Sequence, residues 1–257
     1  MREPDALDAA RVLALALLAI AGAVLIASLG YPVVATVFQQ ASFFAAPLLY
    51  GRRAGLRPFI ASGYVPVPLR RLALVLIASL GSFWLLNGLT HVQTRVIRAA
   101  GYEKKALAEE EQIRKGIEDA QKEGALPALS LLVLIPPLCE ETFFRGILFR
   151  GLISKFGIGV ALGATSLLFA LLHQTLVQTV LMIFLGCYFG TLVYLTGSLW
   201  SSLLAHAVNN LAVLVLMWIY GGNLPDFVAP WWMYLLSGVV FVLAMSQLAM
   251  DRKVSTA

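Results

Sequence analysis

The chain has 257 residues, of which 60% are hydrophobic and only 13% charged. That is too apolar for a soluble domain and matches a polytopic helical membrane protein. The net charge of +5 comes from short arginine groups beside apolar runs, with no basic domain, so inner-leaflet loops account for it and no nucleic-acid partner is called for.

Runs near 20 apolar residues predict an all-α protein with about eight transmembrane helices, at about 9–29, 32–50, 72–90, 128–149, 157–176, 178–196, 199–220 and 231–249. The first run is longer than the apolar region of a signal peptide, and its flank carries Glu3, Asp5 and Asp8 against Arg2 and Arg11, so it reads as a retained span. On the second span, Gln39 and Gln40 either line a cavity or act as packing contacts, and packing is the preferred reading. The following loop, 51–71, holds Arg52, Arg53, Arg57, Arg70 and Arg71 and no acid, which predicts a cytoplasmic location. Arg150 with Lys155, and Arg252 with Lys253, then fall on the same side. The 221–230 loop, whose one charge is Asp226, falls on the other, so eight spans leave both termini cytoplasmic. Compactness and short loops suggest a prokaryotic inner (plasma) membrane.

Residues 91–127 form the one long polar stretch, with seven basic and seven acidic residues. Opposite charges recur at helical spacing, as in Glu110 with Arg114 and Glu111 with Lys115, so the stretch reads as an extramembrane helical insertion on the non-cytoplasmic side, chiefly a solvated connector. No internal repeat is evident. The chain is expected to be a single transmembrane domain over 1–257, with its motif-bearing core at about 128–220. Cys139 and Cys187 both lie inside spans, so no exported disulfide framework is implied.

The fourth span is the anomaly. It reads LLVLIPPLCEETFFRGILFR, and unpaired Glu140, Glu141 and Arg145 would cost roughly 8 to 10 kcal/mol inside a bilayer. Just before them Pro136 and Pro137 break the helical hydrogen-bond ladder, either exposing carbonyls to an extended substrate or only kinking the helix. His173 and His206 sit in later apolar spans. Residues i and i+4 share a helix face, so Glu141 pairs with Arg145, Phe169 lies with His173, and His206 lies with Asn210, while Glu140 is left to face the bundle interior.

Two hydrolytic mechanisms fit these residue types. In one, Glu140 and His173 activate a water while His206 and Asn210 donate to the oxyanion of a tetrahedral intermediate. In the other, Glu140, His173 and His206 bind a catalytic Zn²⁺. The metal-free mechanism is favoured, with no cofactor, because a ligating Glu140 would leave only Glu141 as base, and Arg145 already pairs that residue. Glu140-Glu141-x-x-x-Arg145, Phe169-x-x-x-His173 and His206-x-x-x-Asn210, in this order on successive apolar spans, resemble the three motifs of the CPBP (Abi) family of intramembrane proteases. That family includes the type II CAAX prenyl endopeptidases, which remove the last three residues from prenylated proteins. The resemblance implies a bundle of about eight helices and an intramembrane endopeptidase acting on a membrane-anchored protein or peptide within the lipid bilayer. It implies the same roles for Glu140, His173, His206 and Asn210, although members are often described as metalloproteases. A transporter or non-catalytic scaffold is the competing class, but no second half echoes spans 4 to 7 and no motif residue is missing.

One feature conflicts with a straight bundle. If span 5 starts near 157, His173 lies about 24 Å along it, whereas His206 is about 10 Å into span 7. For the two to meet, span 5 must start well below the membrane, tilt strongly, or have its end and the 174–178 turn sunk into the bilayer.

Overall fold

The computed structural model describes residues 3–220 and 228–256; Asp226 lies outside the described residues, as does the side chain of Lys253. Among the described residues the chain is all-helical, and seven helices are long and apolar enough to cross a membrane. α1 (Ala6–Ser28) starts in a capping box between Asp5 and Asp8, which satisfies backbone donors that the first turn would otherwise leave open. α2 (Pro32–Arg53) and the short α3 (Pro58–Ala61) follow. α4 (Leu69–Ile97) runs seven residues past the predicted end of the third span. A π-helical turn, Arg98–Tyr102, then redirects the chain at Gly101, whose φ of 88° favours glycine. That break separates apolar α4 from the charged helix α5 (Glu103–Lys122). Glu111 pairs with Lys115 at 3.3 Å as the spacing predicts, but Glu110 does not pair with Arg114. Arg114 is held by Glu111 and Glu118, and the turn at Gly101 brings Arg98 to Glu110 at 3.1 Å instead.

α6 (Ala125–Ala128), a π-helical segment (Leu129–Leu134), α7 (Ile135–Glu141), a second π-helical segment (Thr142–Phe149) and α8 (Arg150–His173) form one helical stretch of 49 residues. It is two rods, because Gly157 has non-helical dihedrals (φ 75°, ψ 173°). Phe149 packs in one cluster with Ala161, and Phe144 meets Phe169 edge-on at 5.2 Å. One partner retreats along the chain as the other advances, which is the signature of an antiparallel hairpin about Gly157. The predicted spans 4 and 5 are its two arms. α9 (Thr179–Thr196), α10 (Leu199–Ile219) and α11 (Trp231–Thr256) complete the bundle.

The hairpin resolves the depth conflict. The descending arm continues past Arg150 to Phe156, about 9 Å further, before the chain turns back. Arg150 itself reaches the Gly197 carbonyl at 3.4 Å, next to the start of α10. The fifth span therefore starts beyond the level at which α10 starts. Its Phe169, one turn before His173, already lies 6.0 Å from the His206 ring.

The bundle has two distinct ends. At one end Leu199 donates to Gly63 O at 2.8 Å and Ser198 to Val65 O at 2.5 Å, while Arg150 lies 4.0 Å from Glu3 and Arg70 2.7 Å from Asp251. Both termini, the arginine-rich loop and the Arg150 region thus share that end. α5 packs at the other end, against the turn between α8 and α9, through a cluster of Ile97, Ala106, Ile113, Leu176 and Val177. Single cysteines introduced at residues 57 and 110 should accordingly react with an impermeant maleimide from opposite membrane faces, and labelling of both from one face would refute this arrangement.

Candidate active site

The two prolines set the local geometry. Leu132 O would normally accept from the amide four residues on, or five in a π-helix, but both positions are prolines and neither has an N–H. Asn210 of α10 supplies the missing donor, its Nδ2 lying 2.9 Å from Leu132 O. A buried carbonyl without a partner would be strongly unfavourable in hydrocarbon, so Asn210 ties α10 to the break just before the glutamates. Its neighbour Asn209 donates to Asn210 Oδ1 at 3.4 Å. An amide nitrogen carries two donors, so this tie leaves Asn210 one N–H for another acceptor.

Beyond the break, Glu141 and Arg145 are fully buried and paired at 2.9 Å across one helical turn. The guanidinium also donates to Gly186 O on α9 at 3.2 Å, and it lies over the ring of Phe169 at 4.6 Å and those of Phe144 and Phe189 at 5.5 Å. The close approach of α9 depends on Gly186, where a Cβ would fall 2.7 Å from the Ser166 Cβ on α8. Glu141 also does something that helical spacing does not reveal. Its Oε1 accepts from His206 Nδ1 at 3.0 Å. With Nδ1 carrying the proton toward a carboxylate, the other ring nitrogen of His206 faces Glu140, at 4.0 Å from its Oε2. Phe189 stacks on the His206 ring at 4.9 Å and 20°, which further restricts the imidazole.

Glu140 is held from the opposite side. Gln40 of α2 donates to Oε1 at 2.9 Å, so the glutamine expected to act as packing glue is in fact a direct partner of the carboxylate. Glu140 Oε2 is buried and has no hydrogen-bond partner among the described residues. Buried carboxylate oxygens are seldom left so, and the His206 ring is 4.0 Å away.

His173 ends α8. Its Nδ1 lies 2.8 Å from Phe169 O, and a carbonyl can only accept, so Nδ1 carries a proton and Nε2 is the ring nitrogen left for other partners. Its ring packs on Phe169 at 4.5 Å. Phe169 therefore touches His173, Arg145 and His206 at once. Among the six residues marked by sequence, the structure brings Glu140, Glu141, Arg145 and His206 into one polar chain, places His173 beside it through Phe169, and turns Asn210 toward the proline break.

The metal-binding alternative asks Glu140, His173 and His206 to converge on one ion. Among the described residues no group of three His, Cys, Asp or Glu side chains is arranged to hold one. The Nδ1 atoms of His206 and His173 are bonded to Glu141 and to a backbone carbonyl, which leaves Nε2 as the free nitrogen of each ring. Sequence reasoning did not find the contributions of Phe189 and Gly186, since both look like ordinary residues of an apolar span.

The fold and site define a polytopic helical membrane protein with a buried carboxylate pair against His206, and with His173 beside them across the ring of Phe169. Residues 122–212 match the family model described as type II CAAX prenyl endopeptidase Rce1-like, so this part of the chain is similar to that family. No curated protein and no solved structure matches the chain.

Proposed function

We propose that the protein is an intramembrane endopeptidase in which Glu140 and His173 activate water and His206 and Asn210 stabilise the oxyanion. The single observation that carries this reading is the buried, unpartnered Oε2 of Glu140 facing the His206 ring across 4.0 Å. Gln40 anchors the other oxygen of Glu140, which leaves Oε2 to take a proton from a water whose oxygen attacks the scissile carbonyl. His173 Nε2, a lone-pair acceptor in the tautomer set by Phe169 O, orients that water. The proton taken by Glu140 then passes to the leaving amine as the C–N bond breaks. With Nδ1 bonded to Glu141, the Nε2–H of a doubly protonated His206 would be the donor a developing oxyanion needs, and Asn210 contributes its remaining amide N–H.

The substrate class is a membrane-anchored protein or peptide whose scissile bond enters the bundle near the proline break. On the same reading the protein sits in a prokaryotic inner membrane, with both termini and the arginine-rich loop on the cytoplasmic side. No step above uses a metal, which makes metal dependence the test of the mechanism. Detergent-purified enzyme depleted of divalent metals should keep hydrolysing an internally quenched, farnesylated peptide ending in a CAAX sequence. Stoichiometric zinc that tracks activity through removal and restoration would overturn the scheme.

A further inference from the structure

His173 must present its free nitrogen to a water held by Glu140, yet the two residues sit on different arms of the hairpin. The His173 ring is fixed within its own helix by Phe169 O, so its placement relative to Glu140 depends on how the end of α8 is held. That end is a poor anchor by itself. Gln174, the next residue, adopts the left-handed region (φ 53°) without being glycine, and such a residue persists only where its surroundings enforce it.

Those surroundings come from outside the motif-bearing spans. Glu109 of α5 accepts from the backbone amides of Leu176 and Val177 at 2.7 and 3.0 Å through a single oxygen, Oε2. Gln93 of α4 donates to Leu176 O at 2.6 Å and accepts from Leu181 N at 3.2 Å. Both backbone polar groups of Leu176 are thereby held, one by α5 and one by α4. The apolar side of the same contact is the cluster of Ile97, Ala106, Ile113, Leu176 and Val177, in which Val177 is 4% exposed. Glu109 is nearly covered, its side chain 13% exposed, and its other oxygen has Lys105 at 3.8 Å. A carboxylate placed there serves the two amides. The other acids of α5 behave differently: Glu110 and Glu111 make exposed pairs with Arg98, Lys115 and Arg114. The break at Gly101 is what lays α5 over this turn.

We propose that Glu109 and Gln93 are positioning residues that clamp the turn after His173 and so set its imidazole against Glu140. The segment 91–122 is then a working part of the site and more than a connector. This rests on the reading of His173 as the residue that orients water.

The experiment uses the full-length protein in lipid nanodiscs with isotope-labelled histidine. Only three histidines exist, His91, His173 and His206, so three ring signals are assigned with H91Q and H173Q. Glu109→Gln and Gln93→Leu should each shift or broaden the His173 signal while leaving His206 sharp, and Glu110→Gln, on the same helix, should change nothing. On the quenched farnesylated peptide, Glu109→Gln should lower kcat about 10- to 100-fold with KM held within about twofold, and Glu109→Asp should recover part of the loss. A clamp that served stability alone would lower the melting temperature and leave the His173 signal of the folded protein unaltered, which would overturn the proposal. The signals decide this whether or not the peptide is turned over. His173→Ala, assayed in parallel, separates the two claims. Wild-type hydrolysis by that variant would defeat the water-orienting reading of His173. An inactive His173→Ala beside an unperturbed His173 signal in Glu109→Gln would defeat the clamp alone.

Discussion

Glu140→Gln lowers turnover of a membrane-anchored peptide substrate by roughly 10²- to 10⁴-fold, the range expected for loss of a positioned general base, while the protein stays folded. The substitution is nearly isosteric. The bond from Gln40 to Oε1 is retained by the amide oxygen of the new side chain, and Oε2, which had no hydrogen-bond partner, breaks no hydrogen bond when it becomes an NH₂. What is lost is the capacity to accept a proton. His173→Ala should have an effect of similar size by removing the acceptor Nε2. The measurement is kcat on the quenched farnesylated peptide, with circular dichroism and thermal melting as controls for the fold. Cleavage by Glu140→Gln at the wild-type rate would end the claim for this residue.

The second large effect is on stability. Arg145→Met should destabilise the protein by about 3 to 5 kcal/mol, because it leaves Glu141 charged in a fully buried site without its main counter-ion. The surroundings offer little compensation: both side chains of the pair have zero exposure, and three aromatic rings surround the guanidinium. Exposed pairs such as Lys122 with Asp119, each side chain 71% exposed, are worth at most about 1 kcal/mol, so Asp119→Asn serves as the contrast. Removing both partners together, as Glu141→Met with Arg145→Met, should restore much of the stability, since apolar replacement of a buried pair is often close to neutral. Activity should not return with it, because His206 loses the acceptor that orients its Nδ1. Equilibrium unfolding in mixed micelles checks both parts. A stable Arg145→Met single variant, or an active double variant, would contradict the account.

The sequence by itself determined the all-helical membrane architecture, because runs of apolar residues near bilayer length admit no other backbone solution for their polar groups. It also determined two contacts of the site that are one helical turn long. The pairing of Glu141 with Arg145 and the shared face of Phe169 and His173 follow from a period of 3.6 residues, and the structure shows both. The break at Pro136 and Pro137 was equally legible, since a missing N–H is a local property.

Only the tertiary structure decided what crosses between helices. Nothing in the chain announces that Glu141 accepts from His206, that Gln40 holds Glu140, or that Asn210 answers the carbonyl freed by the prolines. The same holds for Glu110, which leaves its expected partner for Arg98. Helical periodicity specifies which side chains share a face. It does not specify the rotation or depth of one helix against another, and these are set where the chain turns. The positive φ of Gly157 and Gly101 made the difference here: the first sends the descending arm past Arg150 before it returns, and the second lays α5 on the turn after His173. A single glycine tolerates many backbone conformations, so its identity marks a possible turn, and the packing around it selects the one the chain takes.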